Sequence, residues 1–164
     1  ERRPDHGDSG QDGGEATITT TITLPAVPAE GFMPERKQEG DAGADLRYCG
    51  EKPVFLPPGE RKNLPTGVHL EIPDGHVGLV CPRSGLAVKF GITVLNSPGI
   101  IDSGYRGEIR VPLVNLGDLT ITIKPGDRIA QLLVLSVAAS AFVPVDGLGE
   151  SERGAAGFGS TGVE

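Results

Sequence analysis

Short runs of Val, Ile, Leu and Thr, each closed off by proline or glycine, leave this chain room for little besides strands and turns. "PVFLPPGERKNLPTGVHLEIP" at 53–73 reads as strand, Pro-Pro-Gly turn, strand. "GHVGLVCP" is a strand stopped by Pro82, since proline offers no N–H to a ladder. "ITVLNSPGIIDSGYRGEIRVPLVNLG" at 92–117 predicts two strands about a Ser-Pro-Gly turn, a hairpin whose tip carries polar residues. "LTITIKPGDRIAQLLVLSV" repeats the scheme around Lys-Pro-Gly-Asp, and "DAGADLRYC" is a turn running into a short strand. The 25 glycines and 14 prolines among 164 residues fall between these runs, which marks them as turn formers and not as signs of disorder. The one helical candidate in the core is "SGLAVKFG", two turns with Ser84 as the expected cap. The reading is all-β, a jelly-roll-like barrel.

Three segments follow. Residues 1–15 lack apolar periodicity and read as a disordered tail. Residues 16–150 form the β domain, opening at "ATITTTITLPAV", with strand expected to about Val145. Residues 151–164 form a Gly-rich C-terminal arm. A net charge of −7 argues against a general nucleic-acid binder, while a few local arginines still suffice for a nucleotide. Cys49 and Cys81 fit no zinc or redox spacing, and a reducing, cytoplasmic compartment is the simplest reading. The acidic N-terminus does not read as a signal peptide, and the apolar stretch from Ile129 to Val145 is too short and too polar for a membrane span.

Four polar clusters interrupt the strands. Asp45, in "AGADL", suits either water around a divalent cation or a backbone cap in a turn. "PRSGLA" offers Arg83, Ser84 and Gly85 at a helix start, as an anion site or as a plain Ser cap beside a solvated Arg. "NSPGIIDSGYRGE" gathers Asn96, Asp102 and Tyr105: an amide for a base edge, a general base for water, a ring for a sugar. Turn chemistry alone accounts for its Asn and Asp, but not for the Tyr. Arg110 either lines a pocket or faces solvent. Gln131 breaks an apolar run and needs a partner, either a phosphate oxygen or neighbouring backbone. The arm adds "RGAAGFGSTG" at 153–162, a Gly-rich strip with one Arg and one Phe, which reads as a frayed terminus or as a strip that orders on a ligand.

These four clusters and the terminal strip, in this order, resemble the dUTPase family of all-β homotrimeric deoxyuridine triphosphate nucleotidohydrolases. The resemblance spans residues 42–162. It implies hydrolysis of dUTP to dUMP and pyrophosphate, which keeps uracil out of DNA and supplies dUMP for thymidylate synthesis. It implies Mg²⁺ on the triphosphate, with Asp45 orienting the metal's waters. Arg83, Ser84, Gly85 and Gln131 then contact phosphates. Asn96 and the backbone at Ile100 and Ile101 read the uracil edge, Asp102 activates water, and Tyr105 packs on the deoxyribose. The arm would come from a neighbouring subunit of a homotrimer, with Arg153, Ser160 and Thr161 on the γ-phosphate and Phe158, followed by Gly159, on the uracil. One departure bears on lid closure: Ala156 stands where the family usually has Gly. Competing expectations are a dCTP deaminase-like enzyme on the same fold and a dUTP-sensing regulatory trimer. No membrane or nucleic-acid partner is expected.

Overall fold

The computed structural model describes residues 21–155. Ten strands and one short helix occur among them. Strands β1 (Ala26–Pro28), β4 (Arg61–Leu70), β8 (Ile109–Asn115) and β6 (Ile92–Val94) form one sheet, in that spatial order. Strands β2 (Ala44–Arg47), β10 (Arg128–Ser136), β5 (His76–Cys81) and β7 (Gly99–Ile101) form a second. Strands β3 (Val54–Leu56) and β9 (Ile121–Ile123) pair separately. All pairings are antiparallel. The architecture is nearly all-β and jelly-roll-like, as expected.

Alternation builds the core. In β4, residues 64, 66, 68 and 70 are buried, and in β8 residues 109, 111 and 113. Leu46, Leu56, Val68, Ile109, Val111 and Ile129 are among the side chains almost completely shielded from water. Thr66 takes one of the inward places and stays satisfied: its hydroxyl donates to the Ile109 carbonyl at 2.5 Å and accepts the Val68 N–H at 3.3 Å. It sits where β4 shifts register against β8, between Pro65 and Val68.

The hairpin expected at 92–117 does not form. β6 pairs with β8, whereas β7 crosses to the second sheet and pairs with β5. A turn residue reports that the chain reverses, not which open edge the next strand joins. Gly99 lets β7 approach β5 closely, for a Cβ there would stand 3.3 Å from Val80 Cβ. The same holds throughout: no described strand pairs with its neighbour in sequence.

Helix α1 (Ser84–Phe90) is shifted by one residue from the expected cap. Arg83, in extended conformation, is the N-cap, and no side chain caps the first turn. Ser84 is already helical, so its hydroxyl does not perform the expected capping. Gly91 ends the helix with φ of 67°, its N–H returning to the Ala87 carbonyl at 3.0 Å. A Cβ at 91 would meet the Gly117 nitrogen at 2.5 Å, so both conformation and space demand glycine. The last strand ends at Ser136, short of Val145: Val137 still donates its N–H to the Gly75 carbonyl at 2.8 Å, but beyond it residues 138–150 form no strand and stay exposed, Phe142 97% so.

Candidate active site

The third cluster and its neighbours line a groove of about 650 Å³ at the edge of β7 and β8. Asn96, Ile100, Ile101, Asp102, Tyr105 and Arg110 all face it. Asn96 lies over Gly99, whose missing side chain leaves room for the amide: a Cβ there would be 3.4 Å from Asn96 Nδ2. Asp102 follows β7 directly and is exposed. Its carbonyl accepts the Tyr105 N–H at 3.0 Å, which folds the loop into a tight turn. The Tyr105 hydroxyl donates to the Glu108 carbonyl at 2.9 Å and its ring lies over Gly107. Arg110 does line this groove. It donates to the Glu108 carboxylate at 2.8 Å and to the Asn63 carbonyl at 3.0 Å.

Glu108, which the sequence did not single out, anchors this loop. Its Oε1 accepts the Gly67 N–H at 2.9 Å, at the irregularity of β4, while Oε2 takes Arg110. Burial pushes the Glu108 carboxyl up. The Gly67 hydrogen bond, the Arg110 hydrogen bond and the charges of Arg110 and His69 outweigh that and leave it below the usual carboxylate value. Beside it the Cys49 thiol is raised, by burial first and by the Glu108 charge second. Arg106 clamps the outer side of the loop: it donates to the Ser103 and Tyr105 carbonyls, and its guanidinium lies 3.4 Å from Glu71.

The first, second and fourth clusters meet in a separate cleft of about 390 Å³. Asp45, Arg83, Ser84, Gly85 and Gln131 line it together with Lys37 and Arg128. Register explains the meeting, because Gln131 on β10 stands opposite Asp45 on β2 and opposite Cys81 on β5. Gln131 donates to the Pro82 carbonyl at 2.9 Å, so its partner here is neighbouring backbone. Gly43 is small for its sake: a Cβ would stand 2.5 Å from Gln131 Oε1. Asp45 accepts from Arg83 Nε at 2.8 Å and from Arg128 Nη1 at 3.0 Å. Arg128 was not singled out in the sequence.

The two clefts have no lining residue in common. Arg153 is exposed in a turn after Ser151 and lines neither of them. Phe158, Gly159, Ser160 and Thr161 lie outside the described residues, as does Ala156. Among the described residues no three His, Cys, Asp or Glu side chains gather to hold a metal by themselves. No helix there is long and apolar enough to cross a membrane.

The family model for dUTPase matches residues 29–162. The chain belongs to the dUTPase family. A deoxyuridine 5'-triphosphate nucleotidohydrolase of Leifsonia xyli subsp. xyli is 49% identical over 146 residues, 88% of this chain and 93% of the relative. One from Chlamydia pneumoniae is 55% identical over 134 residues, 81% of this chain and 92% of the relative. Among solved structures, the dUTPase of Staphylococcus bacteriophage 80alpha with dUpNHpp superposes with a TM-score of 0.75 at 31% identity, covering 87% of this chain and all of that one. A variant of the dUTPase from phage phi11 of S. aureus, described with a structural Mg(II) ion, gives 0.68 at 28% identity over 77% of this chain and 98% of that one.

Proposed function

We infer that the protein hydrolyses dUTP to dUMP and pyrophosphate. As a member of the dUTPase family it is an enzyme, a dUTP diphosphatase. The observation that carries the reading is the shared groove of Asn96, Asp102 and Tyr105: base reader, general base and sugar wall in one place. Asn96 offers both donor and acceptor to the uracil edge, with backbone at Ile100 and Ile101 beside it. Tyr105 closes the sugar side, where a 2′-hydroxyl is excluded by contact. Asp102, exposed at the groove, takes a proton from water as the water attacks the α-phosphorus, and the bond to the pyrophosphate oxygen breaks. Arg83 and Arg128 stabilise charge on the phosphates, with Arg153 of the arm.

The residues present fit a Mg²⁺ that arrives on the triphosphate rather than one caged by protein. One or two carboxylates close to phosphate-binding cations are the usual protein share of such a site; Asp45 and Asp41 line the cleft, and Asp45 takes that place, acting through water. Bound there, the ion would supply charge neutralisation.

A homotrimer belongs to the same proposal. The base groove and the phosphate cleft share no lining residue, helix α1 buries none of its residues, and Val88 is 87% exposed. A site assembled from neighbouring subunits, with the arm closing over it, accounts for all three. Two unpaired cysteines are consistent with placing the enzyme in the cytoplasm. The test is pyrophosphate release from a panel of nucleoside triphosphates, with and without Mg²⁺. Selective release from dUTP is expected. Ammonia from dCTP would establish the deaminase instead, and dUTP binding without turnover the sensor.

A further inference from the structure

Strand β4 grips the loop between β7 and β8 where their sheet has no ladder. Its pairing with β8 stops at Val68 opposite Ile109. Counted onward, that register sets His69 opposite Glu108 and Glu71 opposite Arg106. The loop follows the count, but polar side chains take over from the ladder. The Glu108 carboxylate accepts the Gly67 N–H at 2.9 Å. His69 Nδ1 donates to the Arg106 carbonyl at 3.0 Å. The Arg106 guanidinium lies 3.4 Å from the Glu71 carboxylate. Every second residue from 67 to 71 therefore holds a point on the loop.

Glu108 fixes the foot of the loop, and Arg106 fixes its tip. None of residues 102–106 is buried, and a Cβ on Gly104 would find nothing within 4 Å, so packing does not hold the turn. One backbone bond closes it, from the Tyr105 N–H to the Asp102 carbonyl at 3.0 Å. Arg106 Nη1 adds two more, to the Ser103 carbonyl at 2.6 Å and to the Tyr105 carbonyl at 3.0 Å. The ion pair with Glu71 is half exposed and contributes little on its own. What matters is the fork: one planar guanidinium bridges the tip carbonyls on one side and β4 on the other. An arginine present only for solubility would leave those donors to water.

We propose that Arg106 is a positioning residue for sugar selection. It holds the Asp102–Tyr105 turn against the end of β4, and so keeps the Tyr105 ring where it excludes a 2′-hydroxyl. This rests on reading the groove of Asn96, Asp102 and Tyr105 as the base and sugar site. Arg106 does not line that groove, so its effect on substrate passes through Tyr105.

The test compares kcat/KM for UTP and for dUTP in the full-length protein. Arg106→Met should raise the UTP-to-dUTP ratio by about tenfold, the worth of a relaxed steric contact. It should also lower kcat for dUTP by about ten- to a hundredfold, as expected when a catalytic turn shifts by about 1 Å. A role in stability alone lowers both substrates by one factor and leaves the ratio unchanged, and that result overturns the proposal. Arg106→Lys keeps the charge near Glu71 without the fork and should recover only part of the ratio. Full recovery would show that charge suffices and would overturn the bridging role. Tyr105→Ala is the comparator, since it removes the ring and leaves the clamp. A ratio raised in Tyr105→Ala and unchanged in Arg106→Met overturns the proposal and leaves the sugar reading standing. A ratio unchanged in both overturns the two together. Hydrogen exchange reads the clamp without any nucleotide. The Tyr105 amide should exchange about tenfold faster in Arg106→Met, while the Gly67 amide, held by Glu108, keeps its rate and shows that the variant is folded. An unaltered Tyr105 amide would mean that the turn stands without the arginine, and the proposal would fall.

Discussion

Asp102 has no ion-pair partner among the described residues, while Glu108, six residues later, is held by a backbone N–H and an arginine. The two carboxylates in one groove are thereby divided between a group open to water and a group committed to structure. Asp102→Asn should bind dUTP normally and lose turnover by about 10²–10⁴, read from single-turnover rates beside binding titrations. Tyr105 is set by its own loop. Its ring covers Gly107, so a methyl at that position collides with it. Gly107→Ala should push the ring from the sugar position and raise the kcat/KM for UTP relative to dUTP by roughly tenfold. An unchanged ratio would remove Tyr105 from sugar selection. Residue identities in this groove were legible in the sequence because Asn, Asp and Tyr stand within ten positions of one another. Glu108 was not, because its role depends on Gly67, which is 41 residues away in the chain.

Elements were legible as units and illegible as partners. Gly and Pro mark strand ends by local chemistry, so β3, β4, β5, β9 and β10 fall where the runs predict. Pairing is decided by which edge is open and by close packing, as Gly99 against Val80 shows, and neither is written in a turn. The bulge in β10, where its pairing with β2 shifts register between Arg128 and Ala130, is hidden for a related reason: Arg128 reads as an inward or outward residue by parity, and the extra residue at Ile129 reverses the parity. The loop between β7 and β8 yields an element-scale prediction. The Glu108 carboxyl is lowered in the folded chain, so the stability it confers is complete above about pH 4.5, the ordinary glutamate value, and is lost as the pH falls through its depressed folded value. Arg110, His69 and Cys49 are the titratable groups around it. Glu108→Gln should flatten the acid limb of a melting-temperature profile and leave the neutral limb with the same slope. An acid limb as steep as before would mean that the loop is pinned by Arg106 and Glu71 instead.

For the whole molecule, one buried amide joins three segments. Asn115 donates to the Leu56 and Leu119 carbonyls at 2.8 Å each and accepts the Gly117 N–H at 2.9 Å. Asn115→Leu leaves one buried and two partly buried backbone groups without their partner and should cost about 2–3 kcal/mol in denaturant unfolding. Removal of residues 151–164, by contrast, should leave a folded protein with little activity, since that arm carries almost no aliphatic side chains. Mixing the shortened chain with a full-length Asp102→Asn chain should restore some activity if base and arm come from different subunits, and none if they serve one subunit. The absence of any pairing between consecutive described strands also sets a clock on synthesis. Asp45 leaves the ribosome 83 residues ahead of the arginine on β10 that it pairs with. Among the described residues β2 has no strand partner other than β10. A nascent chain halted before Arg128 therefore holds the residues of the Asn96–Tyr105 groove and all four strands of the β1-β4-β8-β6 sheet, but lacks the strand that joins β2 to β5 in the second. Refolding should be slow for a domain of this size, in the range of milliseconds to seconds expected of non-local β topologies, and the cleft around Asp45 should be the last feature to acquire protection from hydrogen exchange.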